Sequence, residues 1–308
     1  MKSTIHIACA ADNTYVQHTG VMLTSLFENN SNNAMHIHFF SADFTDENKL
    51  IIEKIVKSYN QNFSFYLLDK ELFKDCFVSH HVSYATYYRV VIPQEINPEI
   101  TRVLYLDTDI IVCKNLLELW NTDIGNAVLG AIKEPSFTEF DRIQIPPTYS
   151  YFNAGILIMN VVEWRKQNLT STLFSFIKSY QNKLTFWDQD ALNANLFNQW
   201  KTLSPKWNQQ SALFEMPREK LIAVYGEKEL DEAIKNPCII HYTGSSKPWD
   251  YLNLHPYKNE YFNYLKKTIW ENYRFKNVAA TKRIQKLLMR IIGVKRFQKI
   301  VSIVSQSS

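Results

Sequence analysis

The chain has 308 residues, 46% hydrophobic and 21% charged, with a formal net charge of +4. That is the balance of a soluble globular protein, in one large domain or two smaller ones, with room for a sizeable core. Only 7 glycines occur, none spaced as G-x-G-x-x-G or G-x-x-x-x-G-K-[ST], which excludes both glycine-rich phosphate loops.

In chain order, residues 5–11 read as a buried strand, too short and too polar at His6 for a signal peptide. Residues 17–28 follow as a helix, with Val21, Met22, Ser25 and Leu26 near helical spacing. Residues 37–42 are a second strand. Thr45 is placed to cap a helix over 46–59, whose stripe is Leu50, Ile51, Ile55 and Val56. Residues 63–68 are a third strand. Residues 84–91 are predicted helical, with a stop at Pro93. RVLYL at 102–106 is a fourth strand, closed by Asp107. This rhythm predicts an α/β fold with a mostly parallel sheet covered by helices. Farther on, 127–132 and 155–160 read as strands, 162–180 and 188–197 as helices, 229–235 as a short helix and 237–242 as a strand. No stretch reaches the roughly 18 apolar residues of a membrane-crossing helix. The four cysteines, Cys9, Cys76, Cys113 and Cys238, form no C-x-x-C pair, which fits a reducing compartment.

The charge is unevenly spread. Nine basic residues and no acid lie from Arg274 to the end, against 25 basic and 30 acidic residues in 1–273. The expected organisation is an acidic body over 1–273 and a basic tail over 274–308. In the tail, Ile284, Leu287, Leu288 and Ile291, then Phe297, Ile300, Val301 and Val304, recur at helical spacing. Lys282, Arg283, Lys286, Arg290, Lys295, Arg296 and Lys299 fall largely between them. Such a helix either lies on an anionic membrane surface or packs on the body's own acidic surface. Nucleic-acid binding fits poorly with an acidic body and no recognition fold.

The chemistry starts at Asp107-Thr108-Asp109. The motif ends an apolar strand, the edge where open α/β sheets bind ligands. Residues i and i+2 of an extended segment face the same way, so both carboxylates can address one divalent cation; the alternative is a solvated acidic turn. His241 ends another apolar strand, in HYTGSSKPW, and completes a possible ligand set, or is simply a packed histidine. An imidazole beside two carboxylates favours Mn²⁺ over Mg²⁺, which prefers oxygen. Gly244 allows close backbone approach, and Lys247 can meet a diphosphate as a point charge.

Six motifs in order carry a specific resemblance: AADNTY at 10–15, SHHVSYATYYR at 79–89, VLYLDTDIIV at 103–112, YFNAGILIMN at 151–160, WDQDALN at 187–193 and HYTGSSKPW at 241–249. Over roughly residues 4–275 the sequence resembles glycosyltransferase family 8, and within it the bacterial lipooligosaccharide and lipopolysaccharide galactosyl- and glucosyltransferases. The resemblance implies a single Rossmann-like nucleotide-diphospho-sugar transferase domain of the GT-A type. It implies a UDP-sugar donor, a saccharide acceptor on a lipid-linked surface oligosaccharide, retention at the anomeric carbon, and a cytoplasmic enzyme on the inner face of the membrane. Asp12 would then accept from the uracil edge and Tyr15 stack on the base. His81, Val82 and Thr86 would line the cleft, and Arg89 would contact the sugar or its phosphate side. Asp107, Asp109 and His241 would hold Mn²⁺. Asn153, Asp188 and Gln189 would surround the sugar near its anomeric carbon, with Gly244 and Lys247 on the diphosphate.

Each residue has a plainer reading. Asp12-Asn13 can turn the chain, Tyr15 can be a core aromatic, Arg89 can be surface charge, and Asn153-Ala154-Gly155 can be a loop entering a strand. Asp188 and Asp190 form a second D-x-D at a helix start, where i and i+2 diverge; one reaches the sugar and Asp190 bonds within the fold. The chain departs from the family pattern at Glu134, where relatives often carry aspartate, which leaves galactose against glucose open. Thr14 also stands where some relatives have asparagine. A retaining double displacement would need Asp188 as nucleophile; front-face attack assisted by the leaving phosphate is the alternative implied by the family. A haloacid-dehalogenase-type phosphatase is disfavoured, since its D-x-D opens the chain and Ile111 stands where it carries Thr or Val. The remaining alternatives are a non-catalytic sugar-nucleotide or glycan-binding protein, and a transferase acting on a protein-bound glycan.

Overall fold

The strand–helix alternation expected over the first 106 residues is present in the computed structural model, which describes residues 4–78, 83–275 and 278–293. The strands are β1 (Ile5–Ala10), β2 (Met35–Ser41), β3 (Asn62–Leu67), β4 (Arg102–Leu106), β5 (Ile110–Val112), β6 (Leu129–Lys133), β7 (Phe152–Asn160), β8 (Trp200–Thr202), β9 (Gln209–Gln210) and β10 (Ile239–His241). One sheet runs β3-β2-β1-β4-β7-β6-β8. β1 to β4 are mutually parallel, and β7 alone runs against both of its neighbours. A second sheet, β5-β10-β9, carries the chain from β4 to the strand that ends in His241.

Strands that are apolar on both sides need cover on both faces. On one face Ile7, Ile37, Phe39 and Leu104 pack against Met22, Leu23 and Leu26 of helix Val16–Glu28 and Ile52 and Val56 of helix Asp46–Ser58. Thr45 caps the latter helix, its hydroxyl oxygen accepting from Asn48 N at 3.2 Å. On the other face Phe40, Val103, Tyr105 and Leu157 meet Val90, Val91 and Ile92 of helix Tyr88–Glu95. Trp164 of helix Val161–Lys166, Leu173 and Ile177 of helix Leu169–Tyr180, and Leu192 of helix Trp187–Leu196 complete that layer. Each such side chain contributes about 1.5–3 kcal/mol by leaving water.

Three expectations need correction. The segment predicted as one helix stopping at Pro93 is a 3-10 turn, Tyr84–Tyr87, feeding a helix that continues through Pro93 to Glu95. Proline removes one ladder hydrogen bond there, and burial of residues 90–92 outweighs the loss. The helix predicted over 162–180 is two helices, broken at Asn168, whose φ of 51° is left-handed. Asparagine tolerates that region better than most residues. Asn153 and Ala154 lie inside β7, not in a loop before it. β5, β8 and β9, at two or three residues each, are too short for periodicity to reveal.

The chain divides into two compact units, Met1–His241 and Tyr242–Ser308. The second holds helices Lys258–Leu265 and Ala280–Ile292, and the composition break at 273 falls inside it. Along Ala280–Ile292, Ile284, Leu287, Leu288 and Ile291 are exposed, while Lys286 donates to Tyr251 O and lies 4.3 Å over that ring. Lys276, Lys295, Arg296, Lys299, Phe297, Ile300, Val301 and Val304 lie outside the described residues. No described helix is long and apolar enough to cross a membrane.

Burial, then Lys286, pushes the Lys258 ammonium down to about 8. Between pH 8 and the unfolded value near 10.5 the folded chain holds fewer protons than the unfolded one, so this group makes stability rise with pH across that window. A Lys258→Met variant is expected to lack that rise, about 1 kcal/mol after solvent screening, in melting curves taken from pH 7.5 to 10.5.

Candidate active site

β4 ends at Leu106, and the next residues turn their carboxylates back across the sheet edge. Asp107 lies opposite Gly155 of β7, its N–H donating to Gly155 O at 2.8 Å. Asp107 Oδ1 accepts from Tyr105 Oη at 2.7 Å and lies 3.1 Å from Arg89 Nη2. Asp107 Oδ2 is thereby left facing His241 Nε2, 3.8 Å away, with Asp109 Oδ1 3.3 Å from the same nitrogen. One ligand atom from each residue falls within 4.8 Å of the others. Ligands at about 2.0–2.2 Å from a small divalent ion sit about 3 Å apart at right angles, so a cation fits between these three groups.

The donor state of His241 is set by a chain of amides. Gly155 N donates to Asn153 Oδ1 at 3.0 Å, which identifies that atom as the oxygen. Asn208 Nδ2 donates to the same oxygen at 2.9 Å, which turns Asn208 Oδ1 to His241 Nδ1, also at 2.9 Å. A neutral His241 therefore carries its hydrogen on Nδ1 and turns the lone pair of Nε2 to the two carboxylates. That arrangement is repulsive without a cation and favourable with one. The approach also needs a bare backbone. A Cβ on Gly155 would lie 2.2 Å from His241 Cε1 and 2.8 Å from Asp107 Oδ2. Asn208→Ala is expected to lower divalent-metal affinity about 10–100-fold, read by calorimetric titration.

Arg89 is not the surface charge that a helical position allows. It is buried, with Asp107 on one side and Asp188 on the other, its Nε 2.8 Å from Asp188 Oδ2. It also donates to Ala154 O and lies 4.7 Å from the Tyr105 ring centroid. Burial opposes the guanidinium charge, but Asp107 and Asp188 more than offset it and hold Arg89 above its ordinary value. Asp188 is buried in turn. Burial pushes its carboxyl up to about 6 against the pull of Arg89 and of the Thr86 hydroxyl, which donates to Oδ1. The Arg89 Nε–H is aimed at Thr86 O, so among the described residues no hydrogen bond reaches Asp188 Oδ2. Trp187, just before it, is held at a φ of 46°, local strain at the entry to this cluster.

The second D-x-D diverges as expected. Asp190 turns inward to Arg142 and Tyr151, both at 2.8 Å, and to the backbone N–H groups of Thr185 and Phe186. Gln189 Oε1 accepts from Ala154 N at 2.9 Å. Asn153 donates from its amide to Glu134 Oε2 at 3.3 Å, and Glu134 Oε1 accepts from Ser136. Asp12 caps the 3-10 turn Asn13–Tyr15 through Thr14, and Tyr15 packs half-buried, T-shaped against His18 with ring centroids 5.1 Å apart. Gly244, at a φ of 84°, and Lys247, which donates to Tyr242 O, belong to the second unit. His81 and Val82 lie outside the described residues.

The sequence matches the profile of glycosyl transferase family 8 over residues 6–253. The chain belongs to this family. It is 33% identical over 271 residues to general stress protein A of Bacillus subtilis, covering 86% of this chain and 94% of that protein. It is 25% identical over 305 residues to the lipopolysaccharide 1,3-galactosyltransferase of Salmonella typhimurium, covering 95% and 87%. Among solved structures, the galactosyltransferase LgtC, in complex with donor and acceptor sugar analogues, superposes with a TM-score of 0.78 at 22% identity, over 91% of this chain and 99% of that one. That likeness supports a GT-A-type fold.

Two members of this family 8 site escaped the sequence reading. Gly155 stands in the quoted motif YFNAGILIMN, but only the crossing of β7 under His241 gives it a task. Asn208 carried no such motif: only the structure shows that the polar run Asn208-Gln209-Gln210 is buried, where polar side chains need bonding partners.

Proposed function

We propose that this family 8 enzyme moves a hexose, galactose or glucose, from a UDP-sugar to a saccharide acceptor with retention at the anomeric carbon. The observation that carries the proposal is the convergence of Asp107, Asp109 and His241, with the His241 lone pair turned inward, at the carboxyl edge of the sheet. Two carboxylates and one imidazole suit Mn²⁺, with Mg²⁺ the alternative. When bound, such an ion supplies Lewis-acid neutralisation of charge growing on the departing diphosphate.

The chain's own residues do the rest. Arg89 holds Asp107 and Asp188 apart and in place. Asp188 offers an oxygen to a sugar hydroxyl. Gln189 and Asn153 shape the sugar cleft, and Glu134 takes the place of the aspartate that relatives carry. Thr86 lines the cleft, and Asp12 and Tyr15 serve the base. The burial of Asp188 between the Thr86 hydroxyl and the Arg89 guanidinium supports front-face attack, with the leaving phosphate as base, over a covalent intermediate on Asp188. The names of the lipopolysaccharide transferase relatives support a lipid-linked oligosaccharide acceptor. The exposed apolar stripe and the basic residues of Ala280–Ile292 support docking of the tail, 274–308, on the inner face of the membrane.

The test is UDP release from a panel of UDP-hexoses. Release is expected with UDP-galactose or UDP-glucose, dependent on Mn²⁺ and about 10³-fold weaker in Asp109→Asn, the loss of several kcal/mol of charge stabilisation. No release from any UDP-hexose would overturn the proposal. Sedimentation with anionic vesicles tests the tail: Ile284→Glu/Leu288→Glu should stay in the supernatant while the unaltered chain pellets.

A further inference from the structure

β1 and β2 carry three histidines that the transferase reaction leaves unused. His36 and His38 are i and i+2 of β2, so their imidazoles leave the same face of the sheet. His6 of β1 is the register partner of His36. One nitrogen from each ring falls within 4.8 Å of the others; His6 Nδ1 and His38 Nε2 are 3.0 Å apart, and the His36 and His38 rings stack at 4.2 Å. The far side of two rings is already tied. His38 Nδ1 meets Tyr66 Oη at 3.0 Å, and His36 Nε2 meets Ser64 Oγ at 2.8 Å, both from β3. Outer bonds of this kind orient metal-bound imidazoles and leave the second nitrogen of each ring for the ion.

We propose that His6, His36 and His38 form a second metal site, one for zinc, built across β1 and β2. Three neutral nitrogens without a carboxylate suit Zn²⁺ and disfavour Mn²⁺ and Mg²⁺, which seek oxygen. The Asp107 set has the opposite balance, so the two sites divide the available metals between them. Tetrahedral zinc at 2.0–2.1 Å sets its nitrogens about 3.3 Å apart, close to the 3.0 Å between His6 Nδ1 and His38 Nε2. On binding, the N–H···N contact between His6 and His38 gives way to two Zn–N bonds, with the shared proton moving to the other nitrogen of the ring that carries it. Burial keeps all three rings below the ordinary histidine value, so protons compete weakly for them at neutral pH. His6 and His36 are half-buried, which leaves an approach for the ion and a fourth position for water. The pairing of Ala8 with Tyr105 puts His6 four residues upstream of the Asp107 level, about 13 Å along the strands. Zinc here would clamp β1 to β2 and act on stability, not on sugar transfer.

The test uses the full chain without a histidine tag. Asp109→Asn/His241→Ala protein, with the first site disabled, is desalted after zinc loading and its metal measured by mass spectrometry. One zinc per chain is expected, with Co²⁺ giving the intense visible bands of four-coordinate nitrogen ligation. His36→Gln and His6→Gln should each weaken zinc binding by about 100-fold. In the otherwise unaltered chain both should keep Mn²⁺-dependent turnover and lose the rise in melting temperature that zinc confers. Circular dichroism checks that each variant is folded. Absence of zinc from the Asp109→Asn/His241→Ala protein would overturn the proposal. So would zinc affinity in His36→Gln and His6→Gln unchanged from that of the parent protein.

Discussion

Gly155→Ala is expected to lower kcat/KM by about 100-fold while the sheet stays folded. The new methyl group would sit 2.2 Å from His241 Cε1, so the imidazole must move by more than an ångström, and Asp107 with it. Misplacing a catalytic group by about 1 Å costs on that order. Overpacking adds a stability loss of about 1–3 kcal/mol. Gly130→Ala separates the two effects. Its Cβ meets only apolar side chains, at 2.9 Å from Ile124 Cγ2, so it should lose stability and keep turnover per folded molecule. The measurements are initial rates of UDP release, metal affinity by calorimetry and melting temperature. Equal kcat/KM in Gly155→Ala and Gly130→Ala would show that the close approach of His241 to the backbone has no role.

Arg89→Met is expected to have the largest effect on stability. It leaves Asp107 and Asp188 without their cation, and breaking a buried ion pair from one side costs about 3–5 kcal/mol. Arg89→Met/Asp188→Asn should recover part of that loss, because the amide needs no counter-charge. The sign of the pH dependence follows from Asp188. Its folded value, about 6, lies above the unfolded 3.8, so the folded chain binds more protons in that window and this group makes stability fall as pH rises through it. Without Arg89, burial is opposed less and the window extends upward, so the variant should regain stability on mild acidification more steeply than the unaltered chain. Urea unfolding at pH 5 and pH 8 reads both effects. Identical midpoints for the variant and the unaltered chain at pH 8 would refute the assignment of Arg89 as the hub.

Much of the architecture was legible. The first four strands and the two helices between β1 and β3 follow from apolar runs and one threonine cap, because long buried elements impose strong periodicity. Asp107, Asp109 and His241 were legible as candidates because Asp107 follows one apolar strand, Asp109 precedes the next and His241 ends another, and strand ends converge at a sheet edge. Asn168 and Pro93 misled for opposite reasons. Asn168 breaks a pattern that is periodic on both sides of it, and Pro93 fails to break a helix that the core holds in place.

The sequence by itself determined the class of fold, the family and the residue types that can hold a cation, since these depend on local pattern and chain order. The tertiary structure alone decided what Arg89, Gly155 and Asn208 do. Arg89 is a helical arginine until β4 and helix Trp187–Leu196 bring Asp107 and Asp188 to its two sides. Gly155 is one more small strand residue until His241 crosses above it, and Asn208 is one polar residue in a polar run until it meets Nδ1 of that imidazole. Those contacts join residues from 18 to 99 positions apart, on separate elements, a separation over which no periodicity carries information.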